Sequence, residues 1–256
     1  MKKYAAVPAI IVVILFIGIT LYSGIWPPLT IVSSGSMQHS GSWTPGVITT
    51  GDVVYLKKVP DNSAIVTYIN GSSTGYSTFG EYGNVIVYDY GGYQIIHRAM
   101  FYLGWNGTQP IVYGYSGQPW IKITNISITL FGIGYAGKNL ILYLAPIRGL
   151  SGFITCGDYN LGNSNLNPSP VADQDQVLGF YDPPVKGSEI VGVALADLPW
   201  IGLLKLWPMW ELHLAIPQNP APLNSYGFLL LLMFAVALAV LSPSILHRKR
   251  ERENKT

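Results

Sequence analysis

The chain is short of cysteine and short of charge. A single cysteine, Cys156, stands among 256 residues, so no disulfide can form within the chain and its fold must rest on its core. Charged residues make up 11% of the sequence and hydrophobic ones 49%, with a mean hydropathy of +0.32, which is too apolar for an ordinary soluble domain. The four histidines and one cysteine show no HxxxH or CxxC spacing, so no metal site is expected, and the nucleophilic chemistry reached below requires no cofactor. No glycine-rich loop joins a strand to a helix, which argues against nucleotide binding. No residue between Tyr4 and Gly51 carries a full charge.

That uncharged region holds a long apolar run. Residues 5–22 are almost wholly aliphatic, long enough to cross about 30 Å of hydrocarbon, with Tyr22 and Trp26 where an interfacial belt would fall. A second run, "YGFLLLLMFAVALAVLSPSIL" at 226–246, is followed by "HRKRERENKT". Lys2 and Lys3 precede the first run, and Arg248, Lys249, Arg250, Arg252 and Lys255 follow the second. The positive-inside rule therefore predicts two spans in the cell membrane with both termini cytoplasmic. The expected division is a cytoplasmic start (1–3), a first span (4–26), an extracytoplasmic domain (27–225), a second span (226–246) and a basic tail (247–256). A cleavable secretion signal is the alternative for the N-terminus, but the run is long and has no small-x-small site before Pro27, which favours a retained anchor. Acidic residues outnumber basic ones in the intervening segment, so no nucleic-acid surface is expected. Glycosylation sequons at Asn70, Asn106 and Asn125 fall in that segment, and a fourth, at Asn254, falls in the tail.

Between the runs the sequence reads as strands. "DVVYL", "SAIVTYI", "NVIVYDY", "YQIIHRAMFYL", "PIVYGY", "WIKITNISITLF", "LILYLA" and "EIVGVAL" are rich in Val, Ile, Tyr and Thr and are separated by Gly, Asn, Ser and Pro clusters. They predict an all-β domain of antiparallel strands. Residues 69–84 and 160–176 read as long polar loops, and no stretch has convincing helical periodicity. "WIGLLKLWPMWELHL" is the exception, a short amphipathic piece for the membrane surface or the core.

The remaining chemistry is nucleophilic: an activated hydroxyl with a base in reach. "VSSGSMQHS" (32–40) offers Ser36, and the histidines that lie away from the apolar runs are His39 and His97. Strand alternation puts Tyr93, Ile95, His97, Ala99 and Phe101 on one face. A regular strand would point His39 away from Ser36, although a turn could join them. Spacing alone leaves both histidines open.

"SSGSMQHS" resembles the serine box of the type I signal peptidases, and "IIHRAM" resembles their second catalytic box in its archaeal and endoplasmic-reticulum form. "GDVVYLKKV" (51–59) and "GNVIVYDY" (83–90) are similar to the family's GD-hydrophobic strands. "FITCGDYN" (153–160) is similar to its GD-Asn box, and "EIVGVALADLPWIG" (189–202) to its closing strand and turn. The boxes occur in the family's order across most of residues 30–202. Three positions depart from the pattern: His39 stands for a proline, Cys156 for a lysine and Val193 for an arginine.

The resemblance implies a signal-peptidase-like antiparallel β fold with an inserted β subdomain (about 101–152), flanked by two transmembrane helices. It implies Ser36 as nucleophile, His97 as general base, and the Ser36 backbone amide with the Ser34 hydroxyl as oxyanion donors. Asp173 is the preferred third member, with Asp158 and Asp175 as alternatives. The implied activity is removal of signal peptides from secretory preproteins after small residues at −3 and −1, beside the bilayer and in association with the secretion translocon. Two rivals stay open: a peptidase of this fold dedicated to surface or pilin-like precursors, and a non-enzymatic cell-surface β protein.

Overall fold

The structure, a computed structural model, describes residues 2–162, 183–214 and 220–253. Helix α1 (Lys2–Ser23) leads into β1 (Leu29–Ile31) and β2 (Val53–Lys57), then α2 (Tyr68–Thr74), β3 (Ser77–Thr78) and β4 (Glu81–Tyr82). The long hairpin of β5 (Val85–Tyr90) and β6 (Tyr93–Asn106) comes next, followed by β7 (Gln109–Tyr113), β8 (Ile121–Ile123), β9 (Ser127–Ile133) and β10 (Lys138–Tyr143). The chain continues through β11 (Gly152–Cys156), α3 (Asp158–Gly162), β12 (Ile190–Leu198), α4 (Leu203–Glu211) and α5 (Leu223–Glu253).

Seven strands form one sheet in the order β1-β2-β12-β5-β6-β11, with β7 added beside β6. All of its pairings are antiparallel. Strand β12 enters late in the sequence yet lies between β2 and β5, so the C-terminal third closes the middle of the sheet. Strands β8 to β10 form a separate three-stranded sheet. Its Ile128, Leu130, Leu140 and Leu142 share one apolar core with Met100, Phe101, Leu103 and Ile154 of the large sheet. The division expected near residue 101 therefore falls inside an unbroken strand, because β6 runs on to Asn106 and its second half belongs to both layers.

Two sequence expectations are corrected. "SAIVTYI" is not a strand. Its first half is a 3-10 turn over Asn62–Ala64, and Thr67 then caps α2 by accepting from the Asn70 amide, with Gly75 in the left-handed conformation at the other end. Local capping outweighs the β-branched composition here. The supposed polar loop 69–84 is thus α2 followed by the β3–β4 hairpin.

Among the described residues one segment, Leu223–Val240 with a hydropathy of 2.1, is long and apolar enough to cross a membrane, and α1 carries a shorter apolar stretch, Ile10–Ser23. The end of α1 is tied to the sheet: the Ser23 hydroxyl donates to the Leu56 carbonyl (2.7 Å) and the Tyr55 hydroxyl to the Ile19 carbonyl (2.7 Å). The amphipathic piece near residue 205 is α4, which sends Leu203 into an apolar junction with Ala221 and Leu229.

Candidate functional site

The segment that carries Ser36 is a loop between β1 and β2, closed at its base by backbone bonds from Val32 to the Asp52 carbonyl and from Gly51 to the Val32 carbonyl, both 2.9 Å. Met37, 1% exposed, sinks into the core formed by Val54, Leu56, Val85 and Val87. Burying the residue next to Ser36 fixes the loop through apolar packing, a contribution of about 2 to 3 kcal/mol, and leaves Ser36 itself half-buried. The Gln38 side chain accepts from the Thr50 amide at 3.1 Å and braces the opposite arm. Ser34 and Ser36 hold their hydroxyls 3.5 Å apart, at the outer limit of hydrogen bonding.

His97 lies on β6 opposite Ile86 of β5 and is 7% exposed. The simple alternation expected for β6 does not hold in its middle. Residues 97 to 101 are all buried, because the strand is covered on both sides and its pairing with β11 slips between Ala99 and Phe101. Gly157, between β11 and α3, brings Ser36 and His97 together. A Cβ placed on it would stand 2.5 Å from the Ser36 carbonyl oxygen and 3.1 Å from His97 Nε2. Those two atoms therefore lie no farther apart than the two distances combined. The Tyr159 amide also donates to the Ser36 carbonyl at 2.8 Å, so the first turn of α3 is seated on the serine loop.

Asp158 heads that turn. Its Oδ1 accepts from Arg98 Nε at 2.8 Å, and its Oδ2 accepts from Arg98 Nη2 at 2.7 Å. His39 Nε2 is hydrogen-bonded to the same Oδ2 at 3.0 Å. Burial by itself would push this carboxyl up, but the Arg98 charge and hydrogen bonds, aided by those of His39, hold it below the ordinary carboxylate range. Arg98 is 1% exposed, and its Nη1 donates to the carbonyls of Thr78, Glu81, Tyr82 and Gly83 at 3.0 to 3.2 Å. The His39 ring stacks on Tyr135, with centroids 4.3 Å apart. Both Asp158 oxygens are thus engaged by Arg98 and His39. Asp173 and Asp175 lie outside the described residues.

A second acid braces the far side of the loop. Asp52 is buried, accepts from the Thr49 amide and hydroxyl on Oδ2 (2.7 and 3.1 Å) and from the Trp200 amide on Oδ1 (3.0 Å). Burial pushes it up to about 6 against these bonds. The sequence offered Asp52 as the start of a strand after a turn. It also ties that turn to the Leu198–Trp200 corner, 148 positions later.

Four contributors escaped the sequence reading. Gly157 matters for the side chain it lacks, which composition cannot reveal. Arg98 did carry a signal: a lone charge inside an apolar strand is costly unless paired. His39, considered as a base for Ser36 and as a replacement for a family proline, is hydrogen-bonded to Asp158. Trp43 is held by Asn224, 181 positions away, and no local pattern announces that. Comparison of the chain with protein-family models and with curated proteins finds no match.

Proposed function

We propose that the protein is a membrane-anchored serine endopeptidase of the signal-peptidase type. In this reading Ser36 is the nucleophile, His97 the general base, and the Ser36 amide with the Ser34 hydroxyl the oxyanion donors. Both termini are cytoplasmic and the β domain works at the outer face of the membrane. The observation that carries the reading is that the Ser36 carbonyl and His97 Nε2 both border Gly157, from elements that the sequence places about 60 residues apart. The ordered motifs of the first subsection and the apolar helix Leu223–Val240 agree with it.

The chemistry follows. A preprotein segment lies extended along the site with small residues at −3 and −1, larger side chains being excluded. Ser36 Oγ attacks the carbonyl carbon after the −1 residue while His97 takes its proton. The oxyanion donors stabilise the developing charge, a contribution of about 3 to 4 kcal/mol each to the barrier. Collapse of the intermediate breaks the C–N bond, and His97 returns the proton to the leaving amine. Water, deprotonated by the same imidazole, then releases the acyl group from Ser36. Asp173 is the carboxylate assigned to orient His97 in this reading, with Asp175 next and Asp158 last, since Asp158 already holds Arg98 and His39.

Incubation of the detergent-solubilised full chain with a secretory preprotein tests the proposal. Wild type is expected to generate one new N-terminus after a small residue. Ser36→Ala and His97→Ala should each lower kcat/KM by at least about a thousandfold with unchanged thermal unfolding, while His39→Ala retains most activity. Normal cleavage by His97→Ala would remove the basis of the assignment.

A further inference from the structure

We propose that α5 is a positioning element of the site as well as an anchor, with Asn224 in its first turn as the positioning residue. This inference rests on the peptidase reading above. The loop that carries Ser36 reaches its far end at Trp43, seven positions on. There the Trp43 amide donates to Asn224 Oδ1 at 2.8 Å, and Asn224 Nδ2 donates to the Trp43 carbonyl at 3.1 Å. One side chain therefore satisfies both main-chain groups of one loop residue, as a neighbouring strand would. That pairing fixes position along the backbone and orientation about it together, which a single contact does not.

Aromatic packing surrounds the clamp. The Trp43 ring meets Trp200 at 4.7 Å and Phe228 at 5.5 Å, both edge-on, and Trp200 stacks on Phe228 at 5.0 Å. Phe228 lies one turn beyond Asn224 on the same side of α5, so the helix offers the loop a polar and an apolar hold in line. Trp200 closes the circuit: its amide donates to Asp52, which accepts from Thr49 at the returning end of the same loop. The far end of the Ser36 loop is thus fastened to α5, and its base to the sheet and to Asp52.

Such bracing has a kinetic meaning. The loop's buried apolar side chains, Val32, Met37, Val47 and Ile48, lie on either side of the stretch 40–46, which is largely exposed. Without the Asn224 bonds that stretch keeps only the packing of the Trp43 ring, which does not fix its main chain. A misplacement of about 1 Å at a nucleophile costs up to roughly 100-fold in rate. The device acts on the rate of the chemical step and not on substrate capture, because Asn224 contacts the loop.

The test uses the full chain in detergent and a short soluble peptide with Ala at −1 and −3, so that anchoring of the substrate plays no part. Asn224→Ala is expected to lower kcat roughly 10- to 100-fold, to leave KM within about twofold and to leave the thermal midpoint unchanged. Asn224→Asp keeps the acceptor for the Trp43 amide but sets a carboxylate oxygen against the Trp43 carbonyl in place of the Nδ2 donor, so it should recover no more than a small part of the loss. Hydrogen exchange over residues 34–43 should rise in Asn224→Ala whether or not the protein cleaves peptides. Wild-type kcat with wild-type exchange in Asn224→Ala would overturn the inference, as would a loss in both variants that merely follows the amount of folded protein. A Ser36→Ala control separates the two claims: an active Ser36→Ala defeats the peptidase reading, whereas an inert one beside a fully active Asn224→Ala defeats only this inference.

Discussion

The two halves of the β domain are held together by different physics. The three-stranded sheet of β8 to β10 meets the large sheet through Ile, Leu, Val and Phe side chains, and none of the buried polar or charged residues described falls between residues 109 and 150. Around the candidate site the opposite holds. Gln38, Thr49, Thr50, Asp52, His97, Arg98 and Asp158 are all buried there, and most are bonded to a loop or to each other. Apolar packing stabilises without specifying direction. Buried polar pairs are costly to desolvate but fix orientation, which is what the loop around Ser36 requires.

The comparison can be tested from its strongest element. Asp158→Ala would strand the Arg98 guanidinium in the interior, with an expected loss of about 3 to 5 kcal/mol in stability. Activity should fall further than the loss of folded protein explains, because the unpaired Arg98 directly follows His97 on β6. Thermal unfolding and kcat of the folded fraction, measured together, check this. An activity loss that only tracked unfolding would reduce Asp158 to a packing group.

Asp52 gives a smaller, pH-dependent effect. Its folded value of about 6 lies above the ordinary 3.8, so the folded chain keeps this proton over a range in which the unfolded chain has released it. The stabilisation is present in full below pH 3.8 and is lost as pH rises through about 6. The gap corresponds to about 3 kcal/mol. Relative to Asp52→Asn, wild type should therefore lose about that much stability between pH 4 and pH 7, as read from denaturant midpoints at each pH. A flat difference would show that burial does not raise Asp52.

The apolar half supplies the smallest effect. Ile128 is fully buried in the shared core, and Ile128→Val should cost about 1 kcal/mol and leave kcat unchanged. A change in kcat would mean that the three-stranded sheet also shapes the site, and the contrast between the halves would soften.

Much of this was legible in order along the chain. Runs rich in Val, Ile and Tyr marked most strands of the large sheet, and the two charge-free runs marked the ends. The clear error was "SAIVTYI", where β-branched residues point to a strand but Thr67 and Gly75 bracket a helix. Its cause is that capping is decided by a few side chain to backbone bonds, which composition averages away. The boundary placed near residue 101 is hard to read for a different reason: β6 runs through it and serves two layers, and nothing within a strand records how many sheets cover it.

What the sequence determined by itself is what local chemistry dictates: apolar helices at the ends, β structure between them, and a serine loop and a histidine strand available for pairing. Only the tertiary structure decided that Gly157 would stand between Ser36 and His97, that His39 would join Arg98 on Asp158, and that Asn224 would grip Trp43. Each of these joins positions about 60 or more apart in sequence. Their geometry depends on how β12 closes the sheet and how α3 and α5 dock on it, and no neighbouring residue can carry that information.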